Sequence, residues 1–153
     1  FVVPPIYDDS YYGYRIHEIT EMQVADMGNY AHGNQPAQHM IYLYDWADEQ
    51  EKTRKWTREV MDRLYSAEPD GYCGDEDNGQ TSAWYVFSAL GFYPVCPGSG
   101  EYAVGAPLFD KAVINLENGR KIRIKATDSC GKDMLFVIHN DLMKGTRLEL
   151  KTK

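Results

Sequence analysis

The sequence predicts a chain that is mainly α and then β. Up to about residue 91, four segments space their apolar residues with a helical period. Beyond about residue 100, short runs alternate apolar and polar residues, as half-buried strands do. Between "AVINL" and "RKIRIKA", the triplet Glu117-Asn118-Gly119 has the composition of a tight hairpin turn. Helices first and strands last suggest two structural regions rather than one layered α/β sheet.

Taken in order, "FVVPPIYDDSYYGY" reads as extended and turn-rich, because Pro4 and Pro5 oppose helix and Gly13 loosens the end. A first helix is expected from His17 to about Met27, with Ile16, Ile19, Val24 and Met27 as its apolar face. After a polar loop from Gly28, Asn34 suits an N-cap and Pro36 a first helical turn. The helix that follows, to about Ala47, is apolar on most sides and predicts burial between other elements. "DEQEK" breaks it. From Thr53 to Tyr65, Trp56, Val60, Met61 and Leu64 form one stripe, with Arg54, Lys55, Arg58 and Asp62 off it. Pro69-Asp70-Gly71 marks a turn, and "QTSAWYVFSAL" predicts a fourth helix closed by Gly91. Strands are expected in "EYAVGAP", on both sides of the Glu117-Asn118-Gly119 turn, in "MLFVIH" and in "TRLELK". Two helices that are apolar nearly all round need more cover than 153 residues supply, so the chain reads as part of a larger helical body.

Composition narrows the function. A hydrophobic fraction of 43% supports a packed core. Net charge is -7 with no basic stripe, which argues against nucleic acid or an anionic membrane as partner. No apolar run approaches the roughly 20 residues of a membrane span. The chain has no initiator Met and no signal peptide, which suggests an excised or mature fragment. Three cysteines, Cys73, Cys96 and Cys130, form no CxxC pair and suit neither a disulfide framework nor a zinc site. Aromatic residues make up 13%, a content that suits sugar binding and ordinary cores alike.

The stretch richest in chemistry is "GDEDNGQTSAWYVFSALGF", which sets Asp75 and Asp77 at the mouth of an apolar helix. An EF-hand is excluded, since Gly79 and Val86 fall where that loop needs oxygen ligands. Three readings of the residues stay open. Asp75, Asp77 and Asn78, with the amides Asn34 and Gln35, offer hard oxygen donors for another kind of calcium site. The loop also suits a solvated cap at Gln80. Finally, paired carboxylates perturb each other's pKa and can hold a water as general base. An inverting glycosidase needs such a base about 6.5–9.5 Å from an acid. A second acidic cluster, "HEITE", brings Glu18 and Glu21 beside His17, itself also readable as a satisfied histidine at a helix start. His32 and His39 lack a zinc-binding HExxH pattern.

"HEITEM", "GNYAHGNQPAQHMIYLY", the run from "VMDRLYS" through "PDGYCGDEDNGQTSAWYVFSALGFYPVCPGSGEY", and "GAPLFDK" together resemble glycoside hydrolase family 92 over most of residues 7–126. Members of that family are calcium-dependent, inverting exo-α-mannosidases with an N-terminal β-sandwich and an (α/α)6 barrel. The resemblance implies that residues 1–98 are the last helices of that barrel and residues 99–153 a closing β segment. It implies Asp77 as catalytic base, with Asp75 sharing the water, close to a Ca2+ that binds the sugar's O2 and O3. Asn34, Gln35 and Asp77 are the candidate ligands on oxygen chemistry and proximity to the motif. His17 and Glu18 match a pair that recognises the leaving mannose of α-1,2 linkages. The family's general acid is a glutamate in an upstream motif resembling EGNxW, and this sequence has none. The tail also looks shorter than the family's closing strands, although "HNDLMKG" matches their end.

The implied partners are a mannose-containing glycan, such as an N-glycan, and the rest of the same enzyme. The implied location is periplasmic, secreted or cell-surface. Two alternatives remain: a calcium-dependent mannose-binding fragment without hydrolysis of its own, and a purely structural fragment.

Overall fold

The computed structural model describes residues 8, 10–128 and 134–152. Most of the predicted extended start, and Cys130, lie outside them. Among the described residues no helix is long and apolar enough to cross a membrane. Cys73 and Cys96 are free thiols.

Helix α1 (His17–Ala25) stops two residues before its expected end. Asp26 takes a left-handed conformation (φ 50°) and its N–H bonds back to the Met22 carbonyl. The chain then leaves the helix axis, so Met27 and Tyr30 are buried while Val24 stays exposed.

Pro36 does sit in the first turn of a helix, but that helix is a 3₁₀ turn, Gln35–Ala37. The next segment, Met40–Ala47, is also 3₁₀ rather than α. Three residues per turn place Met40, Leu43 and Trp46 in one exposed row and turn Ile41, Tyr42 and Asp45 inward. The expected burial on most sides therefore holds on only one.

Helix α2 (Gln50–Leu64) begins three residues earlier than its stripe suggested, after Asp48 breaks the chain in a left-handed conformation. Val60, Met61 and Leu64 are buried as expected. Arg54, read as lying off the stripe, is buried as well, beside Thr53 and Thr57. Part of this buried polar face is satisfied within the fold: the Thr53 hydroxyl donates to Asp45 Oδ1 at 2.6 Å.

Helix α3 (Gln80–Leu90) carries the fully buried Trp84 at its centre. Val86 on its other side is 56% exposed, so the all-round apolar pattern has cover on one flank only. Gly91 closes the helix at φ 93°, its N–H shared between the Phe87 and Ser88 carbonyls. A Cβ there would lie 2.9 Å from Leu150 Cδ1 and 3.0 Å from Pro107 N, so conformation and crowding both require glycine.

Two small sheets follow. β1 (Phe92–Tyr93), β2 (Glu101–Val104), β3 (Lys111–Asn115), β4 (Lys121–Thr127), β5 (Phe136–Ile138) and β6 (Arg147–Lys151) run in chain order. The first sheet is antiparallel in the order β1-β2-β5. The second has the order β3-β4-β6. Its β3–β4 pair is the expected hairpin, turning at Gly119 with φ 79°. β6 joins β4 in parallel. A short helix not foreseen, α4 (His139–Met143), forms from "HNDLM" and lies between β5 and β6.

One apolar cluster gathers Met27, Tyr30, Ile41, Tyr42, Val60 and others around Trp84. The second packs Phe92, Val104, Ile122, Ile124, Leu148 and Leu150 under the sheets, and Phe87 touches both.

Candidate active site

The acidic loop turns through three successive left-handed residues, Asp77 (φ 56°), Asn78 (φ 57°) and Gly79 (φ 98°). Asp and Asn enter this region more readily than other side chains, yet each non-glycine residue there costs on the order of 1 kcal/mol. The turn is held by Glu76. Its carboxylate accepts the Gly79 N–H at 2.5 Å and the Ser82 hydroxyl at 2.5 Å. Those hydrogen bonds lower its pKa below the usual carboxylate value. The Thr81 hydroxyl donates to the Asp75 carbonyl at 3.0 Å, fixing the other side of the loop.

This arrangement divides the three acids by task. Glu76, passed over in the sequence, caps α3. The side chains of Asp75 and Asp77 take no hydrogen bond from any other described residue. Asp75 is exposed and Asp77 half-buried.

The opening turn of α1 forms the facing wall. His17 Nδ1 meets Glu21 Oε1 at 2.5 Å, and His17 Nε2 lies 3.5 Å from Glu18 Oε1. Glu21 is buried and accepts the Gly33 N–H at 2.5 Å. Two glycines allow the walls to meet. A Cβ on Gly33 would overlap the Glu21 carboxylate, and one on Gly74 would lie 2.9 Å from His17 Nδ1 and 3.1 Å from Gly33 Cα. The start of α1, the Gly33 turn and the acidic loop thus converge on one point.

Partial burial works against a charged His17. The hydrogen bond that His17 donates to Glu21 and the charges of Glu21, Glu18 and Asp75 outweigh it and raise the His17 pKa above its ordinary value. Burial raises Glu21 in turn, against the hydrogen bonds from His17 and Gly33. His17 is therefore an anchored, readily protonated group at the rim rather than a free side chain.

Asn34 and Gln35 follow Gly33 on the exposed turn, and neither side-chain amide bonds to another described residue. The turn is tied to α3 through Gln38. Gln38 Nε2 donates to Thr81 Oγ1 at 3.3 Å, Gln38 Oε1 accepts from Gln80 at 3.2 Å, and the Gln38 carbonyl accepts the Trp84 indole N–H at 3.1 Å.

The structure therefore brings His17, Glu18 and Asp75 together and sets Asn34 and Gln35 on an adjoining turn. No hydrogen bond joins Asp77 to either amide. Among the described residues no three His, Cys, Asp or Glu side chains converge as a metal set. Asn34, Gln35 and Asp77 offer oxygen donors only, which suits calcium in kind, although calcium takes about 6–8 oxygens and the remainder would come from elsewhere. His32 is committed otherwise. Its two ring nitrogens meet the Tyr30 and Tyr65 hydroxyls at 2.7 and 2.6 Å, and burial lowers its pKa to about 3.

Glu21, Glu76, Gln38 and the two glycines were not identified as site residues from sequence. Glu21 had a signal, since it stands four residues after His17 on the same helical face. Gln38 had none, because its partners lie more than 40 positions away.

The chain matches the model of the glycosyl hydrolase family 92 catalytic domain over residues 8–151. Among solved structures it is similar to the family GH92 inverting mannosidase BT2199 from Bacteroides thetaiotaomicron VPI-5482. Identity to it is 48%, with a TM-score of 0.73, over 99% of this chain and 22% of that one. It is also similar to the family GH92 α-mannosidase BT3965 from Bacteroides thetaiotaomicron, in complex with mannoimidazole. Here identity is 34% and the TM-score 0.74, over 83% of this chain and 19% of that one. The gh92 family glycosyl hydrolase ccman5 shares the fold at 19% identity and a TM-score of 0.75, over 88% of this chain and 25% of that one. The chain thus spans about a fifth of the length of the first two. Comparison with curated proteins returns no match.

Proposed function

The chain belongs to glycosyl hydrolase family 92, and on that premise we propose that it is the C-terminal part of the catalytic region of an inverting exo-α-1,2-mannosidase. The observation that carries this reading is the division of labour in the acidic loop. Glu76 is spent on the helix cap, which leaves the Asp75 and Asp77 side chains uncommitted, with Asp75 beside the His17–Glu18 rim. In this reading residues 1–98 are the last part of an (α/α)6 barrel and residues 99–153 its closing β segment.

Asp77 takes the proton of the attacking water, and Asp75 holds that water in line. His17, raised in pKa and pinned by Glu21, donates to a hydroxyl of the leaving mannose, while Glu18 accepts from a neighbouring one. Asn34, Gln35 and Asp77 are the residues that would hold calcium. Calcium, when bound, would supply a Lewis-acid anchor for two adjacent sugar hydroxyls. The proton for the departing oxygen comes from an acid outside this chain. Without that acid, the isolated chain binds mannose without turning it over. The natural substrate is a terminal α-mannosyl residue of a glycan such as an N-glycan, met in the periplasm, at the cell surface or outside the cell.

The linkage is tested by Glu18→Gln in the full-length protein. Losing a charged hydrogen-bond acceptor at the leaving sugar is expected to lower kcat/KM on α-1,2-mannobiose about 10–100-fold. Turnover of an aryl α-mannoside, which has no leaving mannose, should stay within about twofold of wild type. An equal loss on both substrates would remove Glu18 from leaving-sugar recognition.

A further inference from the structure

Arg120, Lys121, Arg123 and Lys125 stand close in sequence, and the strand register joins them to cations from two other strands. The outward positions of the second sheet are Lys111, Val113 and Asn115 on β3, Lys121, Arg123 and Lys125 on β4, and Arg147, Glu149 and Lys151 on β6. The register sets Lys111 directly beside Lys125 and Arg123 directly beside Arg147, with Glu149 on the other side of Lys125. Like charges placed opposite one another destabilise a sheet. This face holds two such pairs in a chain whose net charge is -7.

At one end of the face lies a depression of about 620 Å³, lined by Arg120, Lys121, Arg123, Lys144 and Arg147. Its walls are tied to each other. Arg120 Nη1 donates to the Lys144 carbonyl at 3.2 Å, Asn118 donates to the Met143 carbonyl at 2.8 Å, and the Arg123 N–H donates to the Thr146 carbonyl at 2.8 Å. Gly145 has φ 79°, and a Cβ there would lie 3.1 Å from Arg120 Cβ, so the two loops are pressed together. Lys144 is paired with Asp141 at 3.0 Å. Lys121, Arg123 and Arg147 take part in no ion pair among the described residues. None of the residues lining this depression belongs to the acidic loop or the His17 rim.

We propose that this depression and the cationic sheet face above it bind an oxyanion of the phosphate or sulfate class, at a site separate from the sugar site. Guanidinium groups suit tetrahedral oxyanions because their donors form a planar fork. Side chains two apart on one strand stand about 6.8 Å from each other and neighbouring strands about 4.8 Å, so the face presents cations at a spacing that also fits esters repeated along a polymer. It carries no aromatic side chain of the kind that stacks nucleic-acid bases. An anion bound in the depression would relieve the repulsion between Arg123 and Arg147, which both line it, and the walls are already in place before it arrives.

The test is calorimetric titration of the full-length protein with inorganic phosphate, at constant ionic strength set by chloride. Saturable binding is expected, weakened at least about 10-fold by the double variant Arg123→Gln/Arg147→Gln, with hydrolysis of a neutral aryl α-mannoside unchanged. If the double variant fails to fold, Lys121→Gln alone is expected to weaken binding about 3-fold or more. No saturable binding into the tens of millimolar, or variants that bind as wild type does, would overturn the proposal. Dextran sulfate separates the two sources of the anion. Binding about 100-fold tighter than inorganic sulfate, and weakened by Lys111→Gln/Lys125→Gln, assigns the site to esters on a polymer. Equal affinity for both assigns it to the free ion.

Discussion

In the full-length protein, Asp77→Asn is expected to lower kcat on an α-mannoside by about 10²–10⁴-fold, the usual contribution of a general base. The substitution is nearly isosteric. Asn also tolerates the left-handed conformation that residue 77 adopts, as Asn78 beside it already does. The loop's supports are the bonds of Glu76 to Gly79 and Ser82 and of Thr81 to Asp75, and none of them uses the Asp77 side chain. The loss should therefore appear in kcat, with the melting temperature within a few degrees of wild type. Asp75→Asn is expected to cost less, because in the proposed mechanism Asp75 positions the water without taking its proton. It should also lower the His17 pKa, to whose rise the Asp75 charge contributes. Near-wild-type turnover in the Asp77 variant would remove that residue from the role of base.

The second large effect concerns stability. Trp84→Ala is expected to cost about 3–5 kcal/mol, the range for deleting a buried large side chain. A typical domain has about 5–15 kcal/mol in all, so the loss would take a large share of it. Trp84 is fully buried. Its ring lies 4.2 Å from that of His32 and is stacked parallel to that of Tyr65 at 6.0 Å, centroid to centroid. Its indole N–H also satisfies the Gln38 carbonyl, so the alanine variant leaves both a cavity and an orphaned acceptor. Gln38 joins the Asn34–Gln35 turn to the start of α3, and the damage should reach the acidic loop. Trp84→Phe keeps most of the ring and loses the donor, and should cost about 1–3 kcal/mol. Urea denaturation of both variants measures the difference. An alanine variant as stable as wild type would mean that the Trp84 cluster is not the main core.

Local chemistry explains which features could be read from sequence. The Glu117-Asn118-Gly119 hairpin and the closure of α3 at Gly91 were legible because each depends on one turn and one glycine. Segment Met40–Ala47 was misread because its composition suits an α-helix, while the structure winds it three residues per turn and exposes one row. Arg54 was misplaced because hydrophobicity patterns do not reveal when a buried polar face will find partners. At the site, the pairing of Asp75 with Asp77 stood out in the chain. The capping by Glu76 and the anchoring of His17 by Glu21 did not, since both depend on which acid finds a donor after folding. The cationic sheet face was hidden for a related reason. Lys111 meets Lys125, and Arg123 meets Arg147, only through the strand register.

In the proposed mechanism Asp75 and Asp77 activate a water rather than attack the sugar themselves. The direct test is to follow the first minutes of hydrolysis of an α-mannoside by the full-length protein with ¹H NMR, before the product mutarotates. Activated water displaces the leaving group from the opposite face of the ring, so β-mannose should appear first and α-mannose only later. First appearance of α-mannose would mean retention through a covalent intermediate, and would contradict the role assigned to this loop.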